Sequence, residues 1–213
     1  MRIGVIDYGV GNLGSVLGAL DTMGVTPFLV DSPERMGDAD RLILPGVGNF
    51  GECIATLNEG GWSAALHQAV AQGKPLLGIC VGMQLLAELG TECTHGYDTK
   101  GVPGLGFIPG RIENLRQIGC NDRVPHVGWN GIATGPAGDT LLTQIPDGTD
   151  FYFVHSYAFV PEDPDTIAAT VEYGVPITAA VARGRVWGTQ FHPEKSSRAG
   201  FQVIRNFLEH VPC

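Results

Sequence analysis

The sequence predicts an α/β protein with a mainly parallel central sheet, helices on both faces, and an antiparallel strand extension in the second half. Through the first 90 residues, short apolar runs alternate with stripes of helical period. This alternation is typical of βα units that form a parallel sheet. From 101 to 190, strand-like runs follow one another, with turn signals such as "EYGVP" and "ARGRV" between them. These signals predict antiparallel hairpins.

Each element of the first half has its own signal. Apolar runs that end in turn residues predict strands at 2–8, 26–31, 41–46 and 75–79. Apolar residues spaced three and four apart predict three helices, and a glycine follows each (Gly24, Gly73 and Gly90). The stripes are Leu13, Val16, Leu17 and Leu20; Trp62, Leu66, Ala69 and Val70; and Val81, Leu85 and Leu89.

The second half is predicted to consist mainly of strands. They lie at 104–112, 124–132, 150–160, 166–173, 177–184 and 185–191. A short helix is expected at 139–145, and a last helix carries Phe201, Ile204, Phe207 and Leu208. No linker or low-complexity run divides the halves, so residues 1–213 are expected to form a single domain.

Composition excludes several classes of protein. The net charge of −9 argues against a nucleic-acid or anionic-membrane surface. No run of 18 apolar residues is present, and the N-terminus becomes polar too early for a signal peptide, so a cytoplasmic location is expected. The five cysteines are odd in number and form no CxxC pair. A disulfide framework or a zinc site is therefore a poor interpretation.

Cys80 lies where the fourth strand meets the helix after it, within "GICVG". This pattern matches the nucleophile elbow G-x-S-x-G with sulfur in place of oxygen. Small residues on either side let strand and helix approach closely. The start of the helix favours a thiolate and aims the N–H of Val81 at an oxyanion beside the sulfur. The alternative is a buried small hydrophobic residue, since free cysteine is often buried.

"TQFHPEK" supplies a candidate base. A strand leads directly into His192, Pro193 and Glu194. Residues i and i+2 of an extended segment share a side, and the proline favours extended geometry at His192. A carboxylate beside an imidazole can orient it and stabilise its charged form. The alternative is a polar strand end exposed to water.

"LPGVGNFGE" at 44–52 crowds Gly46, Gly48 and Gly51 after a strand. Such a loop can turn backbone N–H groups toward an anion. A phosphate loop is disfavoured because no Gly-Lys pair follows at the required spacing. The alternative is a glycine-rich turn that has no binding function.

Taken together, "GICVGMQ", "HPEKS" and "PGVGNF" resemble the class I glutamine amidotransferases. "DYGVGNL", "VPHVGWN" and "YFVHSY" are similar to one subfamily, the glutaminase subunits of imidazole glycerol phosphate synthase. The resemblance runs essentially from end to end and is weakest over 91–123. It implies a class I glutamine amidotransferase-like fold, with no cofactor and no metal.

The resemblance also implies roles for individual residues. Cys80 would attack the side-chain amide of glutamine, with His192 as base and Glu194 holding His192. Val47, Gly48 and Val81 would bind the oxyanion of the tetrahedral intermediate. The substrate pocket would be formed by Gln84, Glu92, His155, Ser156 and Tyr157. For Glu92, an ordinary solvated carboxylate remains an alternative.

Partners follow in the same way. The resemblance implies a heterodimer with a (β/α)8-barrel cyclase subunit, which receives ammonia and forms imidazole glycerol phosphate. Trp129, Tyr152 and Lys195 would lie at that interface, although core packing of Trp129 and Tyr152 stays open. Two other functions also stay open: a glutaminase subunit of another synthase, such as pyridoxal phosphate synthase, and a non-catalytic thiol sensor.

Overall fold

The computed structural model describes residues 1–92, 101–138 and 140–209. Thirteen strands lie in these residues. In chain order they are β1 Ile3–Ile6, β2 Pro27–Val30, β3 Arg41–Gly46, β4 Leu76–Cys80, β5 Leu89–Gly90, β6 Val102–Pro103, β7 Gly110–Asn114, β8 His126–Thr134, β9 Asp150–His155, β10 Tyr157–Pro161, β11 Ile167–Glu172, β12 Pro176–Arg183 and β13 Val186–Thr189. The helices are α1 Leu13–Thr22, α2 Phe50–Glu59, α3 Trp62–Ala71, α4 Val81–Gln84 and α5 Ser197–Glu209.

Nine of the described strands form one sheet in the order β2-β1-β3-β4-β13-β12-β11-β8-β9. In this order, neighbouring strands pair in parallel from β2 to β13 and antiparallel from β13 to β9. The parallel strands β1, β3, β4 and β13 are buried along their whole length, as strands covered by helices on both faces must be. The predicted fold class, including the antiparallel extension, is confirmed.

A second sheet, in the order β10-β7-β5-β6, was not predicted. The single strand expected at 150–160 is wrong, because it divides at Ser156 into β9 and β10. Before the break, His155 pairs with His126 in the large sheet. After it, Tyr157 pairs with Asn114 in the small one. Apolar alternation is the same in both halves of the run, so the pattern could not reveal that the strand changes partners.

Helix α2 was also not predicted, although its signals are present. Buried Phe50, Cys53, Ile54 and Leu57 are spaced i, i+3, i+4 and i+7. The side chain of Asn49 accepts a hydrogen bond from the backbone N–H of Glu52 at 3.2 Å, which is an N-cap. The glycine-rich loop directly before this helix obscured its start.

Two predicted helices are wrong. The helix expected over Val81, Leu85 and Leu89 is only the single turn α4. The backbone of the segment that follows bonds instead to the small sheet, where Thr91 N–H donates to the carbonyl of Ile112 at 3.0 Å. Residues 140–144 form turns rather than the helix predicted at 139–145, and Gln144 has a φ of +65°. Asp139 lies outside the described residues.

The remaining helices match their sequence signals. Gly24 and Gly73, with φ of +74° and +82°, follow the ends of α1 and α3, and α5 buries the apolar face that its spacing predicts. The turns "EYGVP" and "ARGRV" join antiparallel neighbours, as expected. Among the described residues, the structure contains no helix of the length and apolar character needed to cross a membrane.

Candidate active site

Cys80 occupies a strained turn at the carboxyl end of β4. Its φ of 56° and ψ of −113° lie in a region that non-glycine residues rarely adopt. Such strain costs on the order of 1–3 kcal/mol and is concentrated at functional sites. A Cβ on Gly82 would stand 1.9 Å from the carbonyl oxygen of Leu44, and one on Gly78 would stand 2.4 Å from that of Gly82. Both glycines are therefore required for this turn.

Helix α4 has only four residues, so it supplies little of the dipole that the sequence suggested. The polar groups left at the elbow are those of the local backbone. Val81 follows Cys80 directly in the chain, and both residues line one cavity. The electrostatic effect of this turn therefore depends on single N–H groups close to the sulfur.

His192 lies against the Cys80 sulfur and pairs with Glu194. Nδ1 of His192 is 2.7 Å from Oε1 of Glu194, and the two side chains are 3% and 0% exposed. Burial by itself would lower the pKa of His192. Hydrogen bonds with Cys80 and with Glu194, together with their charges, outweigh burial and raise the pKa to about 9. At neutral pH the site therefore favours an imidazolium between a sulfur and a carboxylate.

The backbone holds this histidine in place from β9. The N–H of His192 donates to the carbonyl of Tyr152 at 3.0 Å. The buried hydroxyl of Ser196 donates to the carbonyl of His192 at 2.7 Å and accepts the N–H of Tyr152 at 3.0 Å. The position of the imidazole is thus tied to strand β9 by three hydrogen bonds.

A cavity of about 370 Å³ opens beside these side chains. Its lining includes every residue proposed from the sequence for the nucleophile, the base, the oxyanion site and the substrate pocket. The lining residues are Val47, Gly48, Cys80, Val81, Gln84, Glu92, Pro125, Val154, His155, Ser156, Tyr157, His192 and Lys195. Val47 and Lys195, which are 148 positions apart along the chain, therefore line one cavity.

The glycine-rich loop forms one wall of the cavity. Gly46 packs on the elbow, where an added Cβ would lie 2.6 Å from the backbone nitrogen of Gly82. Gly48 has a φ of +91°. The loop is also held by helix α2, where the thiol of Cys53 donates to the carbonyl of Val47 at 3.4 Å. Burial raises the pKa of Cys53, which keeps this thiol protonated and able to donate.

Glu92 also lines the cavity, next to the end of the glycine-rich loop. Its Oε2 accepts the N–H of Phe50, the first residue of α2, at 2.9 Å. Burial raises the pKa of Glu92, an effect that this hydrogen bond partly offsets and the nearby charge of Glu52 reinforces. A half-buried carboxylate of this kind favours a cationic ligand group, and it is not the solvated residue that the sequence left open.

His155 lies in a chain of polar contacts behind the cavity. Its Nδ1 is 2.8 Å from the carbonyl oxygen of Tyr157, and its Nε2 is 3.0 Å from Nδ1 of His126. Since the carbonyl only accepts, Nδ1 of His155 carries a hydrogen and Nε2 accepts from His126. Burial lowers the pKa of His155 to about 3 and also lowers that of His126, so both rings are neutral.

Comparison with known proteins decides the family. Residues 5–211 match the family model described as Glutamine amidotransferase class-I. The chain is 44% identical over 209 residues to the imidazole glycerol phosphate synthase subunit HisH of Moorella thermoacetica, which covers 98% of this chain and 95% of that protein. It is also 44% identical over 220 residues to the HisH subunit of Rhodospirillum rubrum, with both chains covered completely. The chain belongs to the HisH family of class I glutamine amidotransferases.

Solved structures agree with this HisH-type fold. A crystal structure titled glutamine amidotransferase superposes with a TM-score of 0.73 at 21% identity and covers 97% of each chain. The structure titled PurLQS from Thermotoga maritima gives a TM-score of 0.75 at 20% identity, again covering 97% of each chain. At these identities the likeness concerns the fold alone.

The outer face of the HisH-type chain lies beside the cavity. Trp129 is 52% exposed and contacts Tyr152 across β8 and β9, with ring centroids 6.0 Å apart. Val127 and Val154, a second pair in the same register, are 56% and 37% exposed. Core packing of Trp129, left open by the sequence, is therefore wrong, whereas Tyr152 is half-buried. Lys195 is exposed at the rim of the cavity.

Sequence reasoning missed four polar residues that surround this site: Cys53, His126, Gln190 and Ser196. Gln190 is the most informative, because it lies only two residues before His192, directly after β13. The extended geometry predicted for His192–Glu194 holds only at His192: residues 190 and 191 are bends and Pro193–Lys195 form a 3-10 turn, so the i, i+2 rule explains neither pair. Cys93 and Cys213 lie outside the described residues. In the described parts of the chain, no group of three or more metal-binding side chains is arranged to hold an ion.

Proposed function

We propose that this chain hydrolyses glutamine to glutamate and ammonia through a Cys80–His192–Glu194 triad and supplies the ammonia to a cyclase subunit. The observation that carries the proposal is the single cavity in which the strained Cys80 meets a buried His192–Glu194 pair. Nucleophile, base and orienting carboxylate are the three parts that acyl transfer requires.

The first half of the reaction forms a thioester. The Cys80 thiolate attacks the side-chain amide carbon of glutamine, and the carbonyl oxygen becomes an oxyanion. The N–H groups of Val81 and of the Val47–Gly48 loop bind that oxyanion. His192 donates its proton to the departing nitrogen, the C–N bond breaks, and ammonia leaves.

The second half releases glutamate. A water molecule attacks the glutamyl thioester, and the now neutral His192 accepts its proton. The same N–H groups bind the second oxyanion, the C–S bond breaks, and glutamate departs. The Glu194 carboxylate orients His192 and stabilises its imidazolium form in both halves of the reaction.

The remaining lining residues would bind the amino-acid end of glutamine. Glu92 would accept the α-ammonium, because its half-buried carboxylate gains a cationic partner. Gln84, His155, Ser156 and Tyr157 form the facing wall, mainly through backbone groups and through the amide of Gln84. Burial of the substrate between these walls would exclude bulk water from the thioester.

The partner would dock on the outer face defined by Val127, Trp129, Tyr152, Val154 and Lys195. Exposed apolar residues on two paired strands, with an aromatic anchor among them, are typical of interaction sites. The HisH relatives are named as subunits of imidazole glycerol phosphate synthase. We therefore propose a heterodimer with its (β/α)8-barrel cyclase, forming imidazole glycerol phosphate and aminoimidazole carboxamide ribotide in histidine biosynthesis.

The organisation of residues 1–213 as a single domain stays a prediction.

The experiment is a reconstitution with the cyclase subunit. The mixture is expected to form imidazole glycerol phosphate with glutamine as the nitrogen source, and glutamine hydrolysis should be faster than with the chain alone. The matched control is Cys80→Ala, which should lose product formation from glutamine but keep it when an ammonium salt replaces glutamine. Hydrolysis at equal rates with and without the cyclase, and no glutamine-dependent product, would reject the proposal.

A further inference from the structure

Gln190 lies directly after β13 and its side chain reaches the nucleophile. The residue is 0% exposed, and its backbone N–H donates to the carbonyl of Ala179 at 2.8 Å. Nε2 of its side chain is 3.9 Å from the sulfur of Cys80. Its Oε1 lies 3.0 Å from Nε2 of Gln84. The amide therefore spans the space between the sulfur and the first turn after the elbow.

The direction of this amide follows from the contacts around it. The carbonyl oxygen of Tyr157 can only accept, and it lies 3.2 Å from the Gln84 side-chain nitrogen. Gln84 must therefore present its NH2 group there, and its second N–H then donates to Oε1 of Gln190. With its oxygen occupied in this way, Gln190 presents its own NH2 group to Cys80.

We propose that Gln190 is a catalytic residue that donates a hydrogen bond to the Cys80 thiolate, and that Gln84 is the positioning residue that orients it. The inference rests on the proposed role of Cys80 as the nucleophile. His192 lies on the same sulfur, so the negative charge has two donors. At 3.9 Å the contact is long, but an oriented amide dipole beside a buried charge is screened little by solvent.

Other titratable groups that face the sulfur are unchanged by a substitution at position 190. They are His192, three residues after β13, Tyr8 after β1 and Cys53 on α2. A change at Gln190 therefore isolates the contribution of its amide. Losing the donor would disfavour the thiolate, so the alkylation profile of Cys80 should move to higher pH.

The test is the pH profile of Cys80 alkylation by iodoacetamide in the full chain, followed by mass spectrometry of the Cys80 peptide. In Gln190→Met, which keeps an unbranched side chain of similar length, the midpoint of the profile is expected to move upward by about one pH unit. Gln190→Leu, which also lacks a donor and adds no charge, should move the midpoint in the same direction. It also serves if the methionine variant does not fold.

The matched control is Thr189→Val, one residue earlier on the opposite face of the strand. The Thr189 hydroxyl is buried and has no hydrogen-bond partner among the described residues, so its removal should leave the profile unchanged. A folded Gln190 variant whose profile superimposes on that of the wild type would overturn the inference. The alkylation profile is measured without glutamine or cyclase. A failed reconstitution would therefore reject the proposed function without changing the outcome of this test.

Discussion

Nδ1 of His192 lies 2.7 Å from Oε1 of Glu194, and the carboxylate is completely shielded from solvent. The second oxygen of Glu194 has no hydrogen-bond partner among the described residues. A buried carboxylate with one strong partner depends on that partner for most of its compensation. Glu194 therefore helps to keep His192 in its charged form.

Glu194→Gln should reduce glutamine hydrolysis by the reconstituted enzyme by roughly two to four orders of magnitude. The neutral amide does not stabilise the imidazolium, so the pKa of His192 should fall and the alkaline limb of activity should move to lower pH. Steady-state kinetics across pH 6 to 10 measure both effects. Glu162→Gln, at an exposed carboxylate outside the cavity, is the control and should match the wild type. An unchanged alkaline limb in Glu194→Gln would contradict the pairing.

The stability of the chain should decrease at alkaline pH because of His192. Its pKa is about 9 in the fold, against an ordinary value of 6.5. Protonation therefore stabilises the folded state, with the full contribution below pH 6.5 and its loss as pH rises through about 9. The contribution is on the order of 3 kcal/mol. Urea unfolding at pH 6.5 and 9.5 measures it, and His192→Asn should lack this decrease; an equal decrease in that variant would exclude His192 as its source.

At acid pH, His155 should destabilise the fold. Burial lowers its pKa to about 3, so the folded chain keeps the ring neutral while the unfolded chain protonates it below 6.5. This stabilisation is complete above pH 6.5 and is lost as pH falls toward 3. One such residue contributes a slope of at most about 1.4 kcal/mol per pH unit. Unfolding free energies between pH 4 and 6.5 should show a shallower slope in His155→Asn; the same slope in both proteins would contradict this origin.

Gly82→Ala should destabilise the chain by about 3 kcal/mol or more, because the added methyl group would overlap the carbonyl oxygen of Leu44. Gly18→Ala is the matched substitution on α1, where nothing lies within 4 Å of the added carbon. It should stabilise the protein by about 0.5–1 kcal/mol. Thermal and urea unfolding compare the two. If Gly82→Ala is tolerated as well as Gly18→Ala, close approach at the elbow is not the reason for its glycine.

The parallel half of the fold could be predicted from sequence because its strands are short apolar runs and most of its helices carry apolar residues three and four positions apart. Helix α2 was not predicted, although Asn49 and the apolar stripe of Phe50, Cys53, Ile54 and Leu57 mark it, because Gly48 and Gly51 at its start are residues more typical of a loop. The segment 85–90 could not be predicted in the same way. Its leucines fit a helix, and only pairing with β7, a contact distant in sequence, decides against one.

The candidate site was more predictable than its surroundings. Cys80, His192 and Glu194 lie in motifs whose geometry is local, a strained turn and a pair two residues apart, although the pair meets through a 3-10 turn and not through the extended backbone that was predicted. Gln190 is also only two residues from His192, yet its role depends on Gln84 and Tyr157, which reach it only in the folded chain. His126 likewise gains its partner His155 through strand register rather than through any local pattern.

The most direct measurement of the central claim is covalent trapping with a chloroketone analogue of glutamine, with adducts located by peptide mass spectrometry. The account predicts one adduct on the Cys80 sulfur, none in Cys80→Ser, and a rate reduced at least about 100-fold in His192→Asn because thiolate and imidazolium form together. An adduct on Cys53 or Cys120 instead, or an undiminished rate in His192→Asn, would contradict it.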